Sequence, residues 1–178
     1  MFLYLQQNVA KIYRGQCPLF YCKSKMIKKE LIQEIVLNSI SGTDIFIVHI
    51  SVGKDNKIFV RIDNLVGITL DECLHISKFI ETSLDRDKED FELEVSSPGL
   101  GEPFRVKQQF LKSISRTLIV IDKEGKKRIG VLKNVDEDEI TIEAEEKIKD
   151  EKTKKKKTVI NEYKFNINNI TAKEVLSF

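Results

Sequence analysis

An alternating run of apolar and polar residues, FELEVS at positions 91–96, ends abruptly at the turn-forming sequence Ser97-Pro98-Gly99-Leu100. Alternation with a period of two is typical of a half-buried β-strand, whose successive side chains point to opposite faces of a sheet. Pro98 lacks a backbone donor and has a fixed φ, so it cannot continue the strand, and Gly99 permits the positive φ of a tight turn. The sequence therefore predicts a strand that ends at a hinge.

The hinge separates two stretches of opposite charge, although the whole chain of 178 residues carries only +2. Residues 26–98 contain 8 Lys or Arg and 14 Asp or Glu, a balance of −6, whereas residues 99–178 contain 18 and 14, a balance of +4. Regions of opposite charge favour different partners. We therefore expect two distinct binding surfaces, although solvation alone is an equally good explanation of the split.

Length and composition limit the class of protein. A chain of 178 residues forms one medium domain or two small ones, and 41% hydrophobic residues are enough for real cores. No apolar run approaches the roughly 18 residues of a membrane span, so we expect no membrane association. Cys17, Cys22 and Cys73 are too few and too irregular for a disulfide framework or a zinc site. A reducing, cytoplasmic setting is the better expectation.

The first 25 residues differ from the rest of the chain, with four basic residues and no acidic one. Their apolar start is too short for a signal peptide, and the basic residues follow it instead of preceding it. We expect residues 1–25 to be an extension, either a disordered tail or upstream sequence included by a misplaced start at Met1 instead of Met26.

Residues 26–97 are predicted to form an α/β domain with the order α-β-β-α-β. Apolar residues recur at helical spacing from Leu31 to a stop at Gly42, and two alternating stretches then predict a β-hairpin. Thr69 and Glu72 have the spacing of a capping box at the start of a second helix. Two helices on one face of a three-stranded sheet make an α/β sandwich.

A hinge at residues 98–104 is predicted to lead into a mainly β domain at residues 105–178. A short helix near residues 106–111 is followed by four or five short strands. Gly130 lies inside one of them, and an interior glycine usually marks the bulge or bend that a small barrel needs to close. The fold class is therefore α+β, with an N-terminal α/β sandwich and a small C-terminal SH3-like or Sm-like β-barrel.

No sequence pattern supports an enzyme, a cofactor site or a metal site. There is no glycine-rich phosphate loop, no histidine pair on a helix and no nucleophile elbow. His49 is predicted in a strand, His75 on the polar side of the second helix, and Cys73 on its apolar side. Glu92 and Glu94 could pair for acid–base chemistry, but without partner groups we interpret them as an exposed acidic edge.

A lysine-rich run at residues 147–157 is the most basic segment of the chain. Such a run is either a solvated hairpin loop or a finger that contacts RNA phosphates, and the second would give salt-sensitive binding with little sequence specificity. No aromatic residues within the run could stack on bases. The residues predicted to contact RNA are Lys126, Lys127, Arg128, Lys154, Lys155, Lys156 and Lys157.

Two segments resemble the ribosome maturation factors of the RimP family. They are Ile62-Asp63-Asn64 with GITLDEC at positions 67–73, and EVSSPGL at positions 94–100. Gly125, Gly130, Leu132 and the turn at residues 136–138 also fit the barrel of that family, and the resemblance spans residues 26–178.

The resemblance implies a cytoplasmic, non-enzymatic, monomeric factor that binds the free small (30S) ribosomal subunit during late assembly. It also implies contact with a basic ribosomal protein, the twelfth of the small subunit. From the charge split we expect the basic barrel to contact rRNA. We assign the protein contact to the acidic face and the hinge, namely Glu92, Glu94, Ser96, Ser97, Pro98, Gly99 and Leu100.

The sequence leaves two alternatives to a ribosome maturation factor. One is a stand-alone Sm-like module that acts on regulatory RNA, and such barrels usually form rings. The other is an enzyme acting on RNA, which requires a clustered polar site that the sequence does not contain.

Overall fold

The structure is a computed structural model, and it describes residues 26–86, 90–149 and 156–175. The predicted extension at residues 1–25 lies outside this part of the chain. The helices are α1 Lys29–Ser39, α2 Leu70–Ser83 and α3 Lys107–Lys112. The strands are β1 Ile45–Val52, β2 Lys57–Asn64, β3 Glu92–Ser96, β4 Thr117–Asp122, β5 Lys127–Val135, β6 Glu139–Lys149, β7 Lys156–Asn166 and β8 Ile170–Glu174.

The first five elements, here the N-terminal unit, have the predicted order α-β-β-α-β. The sheet order is β1-β2-β3, with β1 antiparallel and β3 parallel to β2. A parallel neighbour requires a crossover connection, which α2 provides. The helices and the sheet share one hydrophobic core, whose fully buried members include Ile32, Val36, Ile58, Val60, Ile62, Ile76 and Ile80.

The predicted capping box at the start of α2 is present. The backbone N–H of Glu72 donates to Thr69 Oγ1 at 3.3 Å, and the Glu72 carboxylate accepts from the backbone N–H of Thr69 at 2.7 Å. Both interactions satisfy donors that the first helical turn leaves free. This local pattern fixes the place where α2 begins.

The remaining elements, here the C-terminal unit, pack around a second core. Their strands form an antiparallel sheet of order β7-β6-β5-β4-β8. Gly130 is buried where β5 crosses β6, and a Cβ there would lie 2.5 Å from the carbonyl oxygen of Glu143. In the described residues no pairing joins β7 to β8, so the sheet is open and a closed barrel is not found.

Two details of the predicted turns are corrected by the structure. The positive φ in the hinge belongs to Gly101, at 77°, and not to Gly99. The lysine-rich run is not all loop, because β6 continues to Lys149 and β7 begins at Lys156. Pairing between two long strands stabilises extended backbone even where the sequence is strongly charged. None of the helices in the described ranges is long and apolar enough to cross a bilayer.

Candidate functional site

The linker between β3 and α3, residues 97–106, is held on both sides. Toward the N-terminal unit, Arg61 Nη1 lies 3.3 Å from the carbonyl oxygen of Ser97 and 3.5 Å from Glu102 Oε1. Toward the C-terminal unit, the backbone N–H of Phe104 donates to the carbonyl oxygen of Ala172 at 2.8 Å. The predicted hinge is therefore a structured connection with contacts to both units.

An ion pair joins the two units directly. Lys112 Nζ lies 2.7 Å from Asp63 Oδ1, and the two side chains are only 21% and 10% exposed. Asp63 Oδ1 also accepts from the backbone N–H of Asn64 at 2.8 Å. A partly desolvated pair with additional hydrogen bonds fixes geometry better than an exposed one. Lys112 and Asp63 thus set the orientation of α3 against the end of β2.

A cleft of about 260 Å³ opens beside this ion pair. The linker backbone from Ser97 to Gly101 forms one wall, and Lys112 and Arg116 lie on another. Arg116 Nη1 is paired with Glu174, with N–O distances of 2.9 and 3.1 Å. Leu100 borders the cleft and is 86% exposed. An exposed leucine at the rim of a cleft is a candidate contact for a partner protein.

The predicted acidic edge lies on β3, at the end of the sheet order. Glu92 and Glu94 are exposed, as predicted. Glu92 is paired with Lys57 at 2.9 Å, whereas within the described residues the Glu94 carboxylate accepts only a long hydrogen bond from Ser96 Oγ, at 3.4 Å. Glu94 is therefore the better placed of the two carboxylates to receive a cation from a partner.

The six lysines predicted to contact RNA fall into three groups. Lys126 and Lys127 are exposed at the start of β5. Lys156 and Lys157 belong to β7, opposite Lys149 and Ile148. Lys154 and Lys155 lie outside the described residues.

Arg128 is already engaged inside the C-terminal unit. Its Nη1 lies 3.2 Å from Asp122 Oδ2, and its guanidinium carbon is 4.7 Å from the ring centroid of Tyr163 and 5.4 Å from that of Phe165. Both side chains of the Arg128–Asp122 pair are mostly buried. Arg128 therefore has a structural contact that Lys126 and Lys127 do not share, and its contact with RNA stays a prediction.

The residues considered for catalysis are dispersed. Cys73 is buried in the core of the N-terminal unit, and burial raises the pKa of its thiol. His75 is exposed on α2, and His49 is half-buried on β1. Burial, followed by the charges of Arg105, Lys29 and Arg61, lowers the pKa of His49. No group of three or more His, Cys, Asp or Glu side chains in the described part of the chain is arranged to hold a metal ion.

Sequence patterns missed the roles of Asp63, Lys112 and Asn56. Asp63 and Lys112 are 49 positions apart, and no local sequence pattern links them. Asn56 is buried and joins two distant segments, because its Oδ1 accepts from the N–H of Ile27 at 2.9 Å and its Nδ2 donates to the carbonyl oxygen of Asp90 at 3.0 Å. A polar residue in a turn was the only local signal of that role.

Comparison with known proteins identifies the family. The family model described as the RimP N-terminal domain matches residues 32–101. The ribosome maturation factor RimP of Porphyromonas gingivalis is 38% identical over 132 residues, which cover 74% of this chain and 87% of that protein. The chain belongs to the RimP family. The RimP protein of Flavobacterium psychrophilum is 31% identical over 141 residues, which cover 78% of this chain and 90% of that protein.

The extent of the RimP match bears on the candidate site. The matched N-terminal domain contains Asp63, the acidic edge on β3 and the linker as far as Gly101. Lys112, on the other side of the ion pair, follows the matched segment. The RimP resemblance noted in the sequence is thus confirmed, and the cleft beside the ion pair lies where the matched domain ends.

Proposed function

We propose that this chain is a ribosome maturation factor required for late assembly of the small (30S) ribosomal subunit, and that it binds free small subunits through a ribosomal protein and rRNA. Membership in the RimP family carries the proposal. The N-terminal and C-terminal units are two domains, residues 26–97 and 105–178, joined by a hinge at residues 98–104, and the second domain is an SH3-like barrel that, in its described residues, stays open between β7 and β8. The factor is a cytoplasmic monomer without catalytic activity.

The acidic edge and the linker form the surface for a basic ribosomal protein, the twelfth of the small subunit. Glu94 offers an exposed carboxylate whose hydrogen bond to Ser96 is long, and Leu100 offers an apolar side chain that is 86% exposed. A cation and an apolar group on the partner would both be satisfied there, which gives specificity as well as attraction. The residues of this surface are Glu92, Glu94, Ser96, Ser97, Pro98, Gly99 and Leu100.

The basic residues of the C-terminal unit contact rRNA. Lys126 and Lys127 are exposed next to the turn at Gly125, from which they can reach a phosphate backbone. Each lysine that neutralises a phosphate releases a counterion, so this part of the binding weakens as salt rises. Contacts of this kind position a protein on RNA without reading its sequence.

Co-sedimentation with free small subunits, with full ribosomes and with large subunits tests the proposal at two salt concentrations. We expect a preference for free small subunits that weakens with salt. Glu94→Lys and Leu100→Ser should each lower the bound fraction, because each removes one feature of the protein-contact surface. The matched controls are Glu34→Lys and Leu37→Ser, which change exposed residues of the same types on α1.

Equal binding to all three particles would overturn the proposed function. An unchanged bound fraction for both Glu94→Lys and Leu100→Ser would reject the protein-contact surface alone. Ring-shaped oligomers that bind short RNA and ignore small subunits would favour the Sm-like module instead.

A further inference from the structure

The open face of the N-terminal sheet contains a second hollow, which shares only Pro98 with the proposed protein-contact surface. The helices α1 and α2 pack on the other face, with Ile58, Val60 and Ile62 of β2 turned toward them. Beside the linker, a hollow of about 240 Å³ lies among side chains of β1, β2 and residues 98–109. Its volume approaches the roughly 300 Å³ at which small-ligand clefts begin.

The strand register brings an aromatic ring and several cationic or polar groups to this face. Phe59 lies opposite Ser51 of β1 and Glu94 of β3, and Arg61 lies opposite His49. Cross-strand partners share one face of a sheet, so these side chains are neighbours. Ser51 is a small neighbour of Phe59, and Phe59 is half-buried in the wall of the hollow.

Among the residues that line the hollow, two arginines face one carboxylate, and Glu94 lies next to Phe59 at its edge. Arg61 and Arg105 line it together with Glu102, which is 3.5 Å from Arg61 Nη1. Within the described residues, the Arg105 guanidinium has neither an ion pair nor a side-chain hydrogen bond. Arg105 is therefore a charged donor that faces a hollow without a partner of its own.

His49 lies between this hollow and an adjoining one that contains Lys29. The groups that face His49 are Lys29 of α1, Arg61 of β2, and Arg105 and Glu102 of the linker. Burial is the largest cause of the lowered pKa of His49, and the charges of Arg105, Lys29 and Arg61 add to it. A bound anion would reverse part of that positive potential and raise the pKa of the imidazole.

We propose that this hollow binds one nucleotide of unpaired RNA, with its phosphate between Arg61 and Arg105 and its base on the ring of Phe59. An anionic group satisfies the guanidinium of Arg105, and aromatic rings next to cationic grooves are the common platform for single-stranded RNA. A carboxylate-bearing peptide would satisfy Arg105 but would leave the face of Phe59 without a flat partner. The identity of the RNA as rRNA rests on the proposed function, whereas nucleotide binding itself does not.

Such a site would place an RNA contact in residues 26–98, the part of the chain that is acidic overall. The charge count predicted RNA binding only beyond the hinge, because sums over long segments hide local clusters. Arg61 and Arg105 lie on either side of the predicted hinge boundary and meet only in the folded chain. An RNA strand in this hollow would follow the junction between the two units.

Fluorescence anisotropy with a labelled uridine decamer and the full chain tests the site without ribosomal particles. Arg105→Gln should weaken binding about tenfold, since hydrogen bonds to charged groups contribute that much. It should also lower the slope of log K against log salt by about 0.7. Phe59→Leu should weaken binding about fivefold or more, because it removes base stacking.

Three further variants separate this effect from misfolding and from general charge. Glu102→Gln should tighten binding, because it removes a carboxylate that lines the hollow. Arg86→Gln and Phe79→Leu make the same changes at exposed sites outside the hollow, and we expect them to leave the affinity unchanged. A gain in affinity cannot come from a damaged fold, so Glu102→Gln keeps the test decisive.

The NMR titration of the His49 imidazole reports occupation of the hollow directly. The decamer should raise the pKa of His49, and binding should therefore be tighter at pH 5.5 than at pH 8. Inorganic phosphate distinguishes a general anion site from a nucleotide site. A response to phosphate but not to the decamer would overturn the RNA assignment.

Two other outcomes would reject parts of the inference. If Phe59→Leu has no effect while Arg105→Gln does, the base does not stack on Phe59. If the decamer leaves His49 unchanged and both variants bind normally, the hollow is not an RNA site. Because no ribosomal particle is present, either result can coexist with a preference for free small subunits.

Discussion

Lys112 Nζ lies 2.7 Å from Asp63 Oδ1, and this ion pair connects α3 of the C-terminal unit to the end of β2 in the N-terminal unit. The pair is 21% and 10% exposed, much less than the surface pair Lys133–Glu143, which is 49% and 30% exposed. Loss of solvent makes such a pair sensitive to the removal of one partner, because the other charge is left without compensation.

The first prediction concerns this ion pair. Asp63→Ala should lower the free energy of unfolding by about 1–3 kcal/mol, below the 3–5 kcal/mol of fully buried pairs because Lys112 keeps part of its solvent contact. Adding Lys112→Met should recover part of the loss, since the stranded ammonium is then replaced by an apolar side chain. Urea unfolding of the single and double variants measures the coupling.

The surface pair is the control for that cycle. Lys133→Met should change stability by no more than about 0.5 kcal/mol, as is usual for exposed pairs. X-ray scattering should also show a larger radius of gyration for Asp63→Ala than for Lys133→Met, because only the first loses a contact between the units. Equal effects of the two substitutions on both measurements would contradict the assigned role of Asp63.

The second prediction concerns Gly130. A Cβ at this position would lie 2.5 Å from the carbonyl oxygen and 2.9 Å from the carbonyl carbon of Glu143, and both are backbone atoms of the paired strand. Gly130→Ala should therefore destabilise the C-terminal unit by about 2–4 kcal/mol, since β6 must move away from β5. Thermal unfolding monitored by circular dichroism measures the change.

Gly53→Ala is the matched control, because the nearest atom to a Cβ there is 3.6 Å away and the backbone is extended. We expect an effect within about 0.5 kcal/mol. If Gly130→Ala were equally mild, the close approach of β5 to β6 would not be the reason for the glycine.

Local patterns account for what the sequence predicted correctly. The capping box of Thr69 and Glu72, the α-β-β-α-β order and the alternation of β3 each depend on residues within a few positions of one another. Gly130 was singled out because a glycine inside a strand is unusual, and its crowding against β6 is the physical reason.

Contacts between distant segments could not be predicted in the same way. Lys112 pairs with Asp63 because of how the two units pack against each other, and no residue spacing in the sequence predicts that packing. The lysine-rich run was interpreted as a loop because of its composition, yet backbone pairing extends β6 and β7 into it. In the sequence Arg128 is one of three consecutive basic residues, and nothing there distinguishes it from Lys126 and Lys127. Its contacts with Asp122 and Tyr163 exist only in the folded chain.

The third prediction concerns Asn56, which is buried with a φ of 52°. Asn56→Ala should cost about 2–4 kcal/mol, because it removes two hydrogen bonds to Ile27 and Asp90 and also leaves a strained backbone. Asn56→Gly should cost less, since glycine adopts positive φ without strain. The difference between the two variants in the free energy of unfolding, measured with urea, gives the contribution of backbone strain. Equal costs would mean that the side-chain hydrogen bonds account for the whole effect.

The fourth prediction concerns the acid stability of the C-terminal unit. The backbone N–H of Lys126 donates to Asp122 Oδ1 and lowers the pKa of the carboxyl, and Arg128 adds to that shift. A lowered pKa in the folded state means that the ionised carboxylate favours folding above its ordinary pKa of about 3.9. This contribution is lost as the pH falls through the lowered value, when the carboxylate takes up a proton.

Asp122→Asn should therefore be less stable than the wild type at pH 6, and the difference should shrink as the pH falls from about 4 toward 2. Asp44→Asn makes the same change at an exposed site between α1 and β1, and we expect it to change the stability at pH 6 by no more than about 0.5 kcal/mol. Urea unfolding at a series of pH values measures the free energy of unfolding of both variants and of the wild type. A stability difference for Asp122→Asn that stays constant down to pH 2 would show that Asp122 acts through its size and its hydrogen bonds, because the contribution of an ionised carboxylate must begin to fall below the ordinary pKa of about 3.9.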